Sequence, residues 1–191
     1  SLGIGGFVAG RPNASNTEFL RWSSSVRAFE RYPEVKGLGY TVFVTAAQLP
    51  AFAARAAADP IQAASSRTGF QVFPAGKRPF YCLAELGQTR TAALRIPIGY
   101  DFCAGSISVS SRDSGQGNYT PFDLGRNSLL AVETPIYRNG VVPATVDARR
   151  SAFEGWVGIV VAPHEVLARA LAGHSDTAVT FRYHAGTSDV A

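Results

Sequence analysis

The sequence predicts an α+β fold on three observations: an amphipathic helix opened by a capping box, several short alternating strands, and a proline- and glycine-punctuated break before a strand–helix–strand tail. The helix comes first. Ser15 is followed three residues later by Glu18, the spacing at which the two side chains cap each other's backbone N–H groups. Phe19, Trp22, Val26 and Phe29 then recur in steps of three and four, which puts one aromatic stripe on one face. Tyr32-Pro33 ends the helix, because a residue before proline is pushed out of helical geometry. The apolar, glycine-rich run Ser1–Gly10 reads as the end of a helix that starts upstream.

The remaining elements follow in order. Leu38, Tyr40, Val42 and Val44 alternate as a strand, with Phe43 on its other face. Thr45-Ala46-Ala47-Gln48 repeats the capping-box spacing and opens an alanine-rich helix that stops at Asp59-Pro60. Phe70, Val72 and Phe73 read as a short strand turned by Pro74-Ala75-Gly76, and Pro79–Ala84 as another. Gly105–Ser111 alternates as a strand, and Ser128–Tyr137 is a long one with the turn signal Asn139-Gly140 behind it. Asn139–Arg150 lacks periodicity and is the expected boundary. Beyond it, Phe153–Val161 has a buried-strand pattern, Pro163 opens a helix whose face Val166–Leu171 fills, Gly173 caps it, and Thr177–Tyr183 alternates again.

Composition bounds the function. Of 191 residues, 46% are hydrophobic and 17% charged, enough apolar surface to exclude a disordered chain. The longest apolar run, around Val157–Ala162, is far short of the roughly 18–20 residues of a spanning helix. No basic start leads into an apolar stretch, so no secretory signal is expected within these residues. Methionine is absent altogether, so a segment of a longer protein is expected; the Arg-rich, Lys-poor, Ala-rich usage points to a GC-rich bacterial genome. The net charge is +4, but the arginines are scattered, adjacent only at Arg149–Arg150. That distribution describes solvated surface and no nucleic-acid partner.

Chemistry-bearing residues are sparse. Cys82 and Cys103 are either two buried thiols or a disulfide closing a loop of about twenty residues. His164, His174 and His184 lie ten apart with no metal-ligand spacing, so no metal is expected. His174-Ser175-Asp176 holds triad residue types, but adjacency does not give triad geometry. Phosphate loops, dinucleotide fingerprints and other cofactor motifs are missing. Asn13-Ala14-Ser15 and Asn118-Tyr119-Thr120 match glycosylation sequons, which matter only in a eukaryotic secretory pathway. Tyr100-Asp101, Arg112-Asp113-Ser114-Gly115, Tyr119-Thr120-Pro121-Phe122 and Glu133–Tyr137 are of types that suit a small-molecule pocket, and equally a core edge with hydroxyls to solvent.

The order of several segments resembles the CHASE domain, the extracytoplasmic sensing module of receptor histidine kinases, nucleotide cyclases and diguanylate cyclases. The resemblance is carried by Phe29-Glu30-Arg31-Tyr32-Pro33 with Gly37-Leu38-Gly39-Tyr40, by Gly99-Tyr100-Asp101, and by Arg112-Asp113-Ser114-Gly115-Gln116. Thr120-Pro121-Phe122, Thr134-Pro135-Ile136-Tyr137 and Phe153-Glu154-Gly155-Trp156-Val157 continue it, so that it spans roughly Asn13 to Leu171. It implies a long N-terminal helix with a PAS-like antiparallel-sheet lobe and a smaller second α/β lobe. The expected parts are a helical stalk at 1–31, a membrane-distal sensing lobe at 32–138, a linker at 139–150 and a partial membrane-proximal lobe at 151–191. That last lobe is short, through an early end or a reduced lobe. The family's helix before the Arg-x-x-Gly step also falls on Gly105–Ser111, against the alternation there.

Function by this resemblance is ligand sensing without catalysis. A small molecule of unknown identity would bind the distal lobe and change the relation between paired N-terminal helices of a homodimer, relaying to a cytoplasmic cyclase, diguanylate cyclase or histidine kinase through membrane spans outside this segment. The expected ligand set is Tyr81, Tyr100, Asp101, Arg112, Tyr119, Thr120, Leu130 and Glu133, with Arg112 alternatively anchoring its turn. Plant cytokinin receptors in the family carry an acidic residue in the helix before that step; Ala104–Ser111 has none, which argues against adenine-type recognition. An extracytoplasmic home favours the Cys82–Cys103 disulfide. The alternatives are a freestanding secreted or periplasmic small-molecule-binding protein and, more remotely, a small hydrolase using His174 or His184.

Overall fold

Strand formation in this chain follows its β-branched and aromatic alternation, and the strands pair into one antiparallel sheet. In the computed structural model, described for residues 3–63, 69–96, 99–105, 107–124, 127–174, 176–180, 183–185 and 188–190, five strands are ordered β2-β1-β5-β4-β3. They are β1 (Val35–Thr45), β2 (Phe80–Thr89), β3 (Asn118–Leu124), β4 (Asn127–Tyr137) and β5 (Phe153–Val161). The helices are α1 (Ile4–Gly10), α2 (Asn16–Ser25), α3 (Ala28–Arg31), α4 (Leu49–Ala58), α5 (Pro60–Ala63), α6 (Ile107–Ser114), α7 (Val146–Ala152) and α8 (Pro163–Ala170). A separate hairpin pairs β6 (Tyr183–Ala185) with β7 (Ser188–Val190). This is an α+β arrangement.

The N-terminal region departs from the expected long helix. Ser15 and Glu18 do form a complete capping box at the start of α2. However, the chain turns at Arg27, which adopts a left-handed φ of 52°, and α1 is separated from α2 by the Arg11–Ser15 turn. Three short helices therefore replace one stalk, and α1 and α2 lie on the sheet. Ile4, Val8 and Phe19 are buried against Leu38, Tyr40, Leu86 and Val157, with Trp22, Val26 and Phe29 packed around them. The aromatic stripe thus belongs to the domain's own core, where Phe7, Phe19 and Trp22 form a ring cluster with centroids 5.1–5.8 Å apart. Asn16, itself buried, locks α2 in place: its Nδ2 donates to Asp59 Oδ2 and Glu85 O, and its Oδ1 accepts from Gly87 N.

The expected division at 139–150 also changes. Phe153–Val161, assigned to a second lobe, is instead the central strand, paired with β1 on one side and β4 on the other. Its position is fixed by packing: Trp156 is fully buried, and the ring of Tyr40 fills the space beside Gly155 while its hydroxyl donates to Glu154 O at 2.6 Å. Only the residues after β5 lie outside the sheet. There α8 is tied back to the start of β1 by Lys36–Glu165 and Arg169–Glu34 ion pairs.

Other elements shift locally. Of Gly105–Ser111, residues 107–111 fold as helix α6, against the alternation and in the sense of the family resemblance, Gly105 ends the 3-10 turn, and 106 lies outside the described residues. Phe70–Phe73 is no strand; Phe73 makes an isolated bridge to Tyr100. At Thr45 the side chain of Gln48 accepts from the Thr45 backbone and hydroxyl, yet the helix starts only at Leu49, where Pro50 fits the first turn. Thr177–Thr180 is not strand, and 181–182 fall outside the described residues.

Candidate ligand-binding site

The register sorts the sheet into two faces. Val42, Val44, Tyr81 and Leu83 share a face with Tyr40, Leu86 and Val157, and this face is covered by α1, α2 and α4. Thr41, Phe43, Cys82 and Trp156 lie on the opposite face. One end of that face is roofed by the 3-10 turn Phe102–Gly105 and by α6. The roof is fastened at several points. A disulfide joins Cys82 on β2 to Cys103 in the turn, with Cα atoms 5.2 Å apart. Asp101, fully buried, accepts from Cys82 N at 2.8 Å and Cys103 N at 3.0 Å, and its other oxygen lies 3.4 Å from Arg78 Nη1. Buried charge of this kind holds only when paired. The Tyr137 hydroxyl on β4 donates to Arg112 O at 2.5 Å, and burial raises its pKa, keeping it protonated for that role.

Beyond the roof the face is bare. Gly87, Gly39 and Gly158 sit side by side on β2, β1 and β5, and the row continues to Glu133 and Asn118. A Cβ added at Gly39 would meet Leu86 O at 3.2 Å and one at Gly158 only Gly39 O at 4.0 Å, both on neighbouring strands. Among the described residues nothing packs onto this glycine floor from another layer. The floor leads directly to Trp156, two residues from Gly158 on the same face of β5. Phe153 crosses Trp156 at 4.4 Å and meets Tyr137 at 5.8 Å, giving the roofed end an aromatic wall.

Polar groups at the roofed end are not all partnered. Among the described residues Trp156 Nε1, Ser111 Oγ and Asp101 Oδ2 are buried without a hydrogen bond, although Asp101 keeps its ion pair with Arg78. Each unmet buried donor or acceptor costs about 1–3 kcal/mol. Arg112, on α6, has its backbone at Tyr137 on β4 and its guanidinium 5.0 Å over the Phe43 ring on β1, and so spans β5 between them. Its Nε donates to Asp113 at 2.8 Å, and the remaining edge of the guanidinium has no partner among the described residues. Asp113 also takes a bidentate contact from Arg150 of α7; these guanidinium contacts, the Arg150 hydrogen bond foremost, lower its pKa to about 2.

The expected ligand set is divided by this geometry. Asp101 and Arg112 belong to the roof, while Thr120 and Glu133 lie on the same sheet face farther along, Glu133 in the glycine row. Tyr81 and Leu130 are instead buried on the helix-covered face, and Tyr119, 52% exposed, is on that side of the edge strand. Tyr100 stands at the margin between Phe73 and Phe102. Sequence reasoning did not single out Ser111, Trp156 or Phe153 as site residues; Tyr137 lies in the pocket-suited stretch Glu133–Tyr137 but outside the expected ligand set. The available signal was the period-two pattern of β5, which puts Phe153 and Trp156 on one face once a bulge at Glu154 is allowed for. Cys82, Asp101 and Cys103 bring three ligand-type groups within 4.8 Å, but metals take thiolates, and these sulfurs are bonded to each other. His164 and His174 are exposed, and among the described residues neither imidazole is hydrogen-bonded to a hydroxyl or thiol.

With that geometry in place, comparison with known families is decisive. The CHASE domain family model matches residues 12–191. This chain belongs to the CHASE domain family. CHASE domains are extracellular sensory domains of signalling receptors and are not catalytic. No curated protein matches the chain. Among the described residues of this CHASE domain, no helix is long and apolar enough to cross a membrane.

Proposed function

We propose that this CHASE domain is the extracytoplasmic sensor of a membrane-bound receptor, and that it holds a small molecule on the α6-roofed face of its sheet. The observation that carries the reading is that, among the described residues, the buried Ser111 Oγ and Trp156 Nε1 beneath that roof have no hydrogen bond and Asp101 Oδ2 has only its ion pair with Arg78, beside a glycine floor that no other layer approaches within 4 Å of a Cβ position. A ligand on the floor would abut the α6 roof that covers them. Ligand binding transmits a signal only if the two receptor states differ in affinity, since equal binding to both shifts nothing. The roof supplies the difference: α6 is tied through Asp113 to α7, which runs directly into the central strand β5. Dimerisation would use the outward side of α2, where Thr17, Leu20, Arg21, Ser24 and Ser25 form a shallow depression. The output would be a cytoplasmic cyclase, diguanylate cyclase or histidine kinase.

A thermal-shift screen of the domain against purines, amino acids, carboxylates and neutral metabolites tests the reading. A ligand at one hundred times its Kd stabilises by about 2.7 kcal/mol, or roughly 5–10 °C for a domain of this size. The shift is expected to disappear in Trp156→Phe or Ser111→Ala. A hit that survives both substitutions, or the absence of any hit, counts against a ligand site under α6.

A further inference from the structure

Resting on that site, we infer that its ligand is a small molecule with a carboxylate and an apolar body. The chemistry of the unpartnered groups is one-sided. Trp156 Nε1 can only donate, the Ser111 hydroxyl can donate, and the free edge of the Arg112 guanidinium is a fork of donors with a full positive charge. Asp101 Oδ2 can only accept, and its charge is already matched by Arg78 at 3.4 Å. Trp156 and Ser111 are 0% and 1% exposed, so solvent does not reach these donors. A neutral tryptophan N–H and a serine hydroxyl beside an arginine make the complement of a carboxylate, which presents two acceptor oxygens and one negative charge. Asp113, next to Arg112, is occupied by Arg112 Nε and the Arg150 fork.

The body of the ligand is set by the surroundings. Phe153, Trp156 and Tyr137 form the aromatic wall, and Phe43 stacks on Phe80 at 4.8 Å below Arg112. The glycine floor offers flat backbone, and the carboxylate in its row, Glu133 opposite Gly158 on β4, suits no second negative charge there. An aliphatic or aryl acid fits this order, with its carboxylate under α6 and its apolar part along the wall and floor. A purine offers ring-nitrogen acceptors to these donors but no negative charge to match the Arg112 guanidinium.

The test is calorimetric titration of the intact domain with acetate, butanoate, benzoate, phenylacetate and indole-3-acetate, each against its primary amide. At least one acid is expected to bind about tenfold or more tightly than its amide, the usual margin of a charge-assisted over a neutral hydrogen bond. Arg112→Gln should erase the acid–amide difference, and Ser111→Ala should weaken the acid while leaving the fold intact by circular dichroism. Amides binding as tightly as acids overturn the inference, as does an acid preference that survives Arg112→Gln. Purines or neutral metabolites that bind in a Ser111-dependent manner, with no acid binding, overturn the carboxylate and leave the site standing. No Ser111- or Trp156-dependent binding of any class removes both.

Discussion

Single side chains carry the joints of this domain, and Asn16 is the clearest. It sits at the first position of α2 yet is buried, because its amide satisfies Glu85 O and Gly87 N on β2 and the Asp59 carboxylate at the end of α4. Alanine there removes three side-chain hydrogen bonds that tie α2 to β2 and α4, so Asn16→Ala should destabilise by about 2–3 kcal/mol. Urea denaturation measures this; a loss under about 0.5 kcal/mol, the range of neutral surface changes, would show the amide is dispensable. Gly155 makes a second joint. Its φ of 155° and a Cβ position 2.6 Å from both Thr41 O and the Tyr40 ring leave no room for a side chain. Gly155→Ala should cost about 2–3 kcal/mol by overpacking, read from the same denaturation midpoint. Neither role was visible in the chain as text. No local pattern marks Asn16, which follows the capping Ser15, and Gly155 is one glycine inside the Phe153–Val157 motif; only tertiary neighbours across the sheet give them their constraints.

At the level of elements, local signals were read correctly where they act alone and failed where two of them compete. The Ser15–Glu18 box and the alternation of β1, β4 and β5 are local chemistry, and they appear as expected. The box at Thr45 is half made: Gln48 reaches back, but the alanine-rich helix begins a turn later. For α6 the alternation of Gly105–Ser111 pointed to strand, and packing against the sheet overrode it. The helix is held by Tyr137 and by the Asp113 cluster rather than by intrinsic propensity. That cluster makes a pH prediction. Because the folded pKa of Asp113 is depressed from 3.8 to about 2, its contribution to stability is full above its unfolded value and is lost as pH falls toward about 2. Wild type should therefore exceed Asp113→Asn in stability at pH 6, and the gap should close between about pH 4 and about pH 2. Urea midpoints across that range check it. A gap independent of pH would mean that the carboxylate's charge contributes nothing to holding α6 on α7.

For the molecule as a whole, the sequence order concealed the topology. A break at 139–150 resembled a domain boundary because it lacks periodicity, yet β5 beyond it is the central strand, so distal and proximal expectations meet in one sheet. Long-range pairing of this kind leaves no local mark in the chain. The same separation governs how the site is held. The Cys82–Cys103 bridge, with a sequence separation of 21, clamps the roof to β2, an outer strand of the sheet, while α1, α2 and α4 hold the other face independently. Reducing it should lower global stability by about 3 kcal/mol through the freed loop, a fall in Tm of roughly 6–12 °C. The loss should also be uneven. Hydrogen exchange at pH 7 on the reduced domain is expected to rise first at Asp101–Ser114, where Asp101 no longer has both cysteine N–H groups fixed against it, while β1 and β5 remain protected. Uniform loss of protection would mean that the roof and the sheet unfold as one unit, and the roof would then have no independent motion with which to report a ligand.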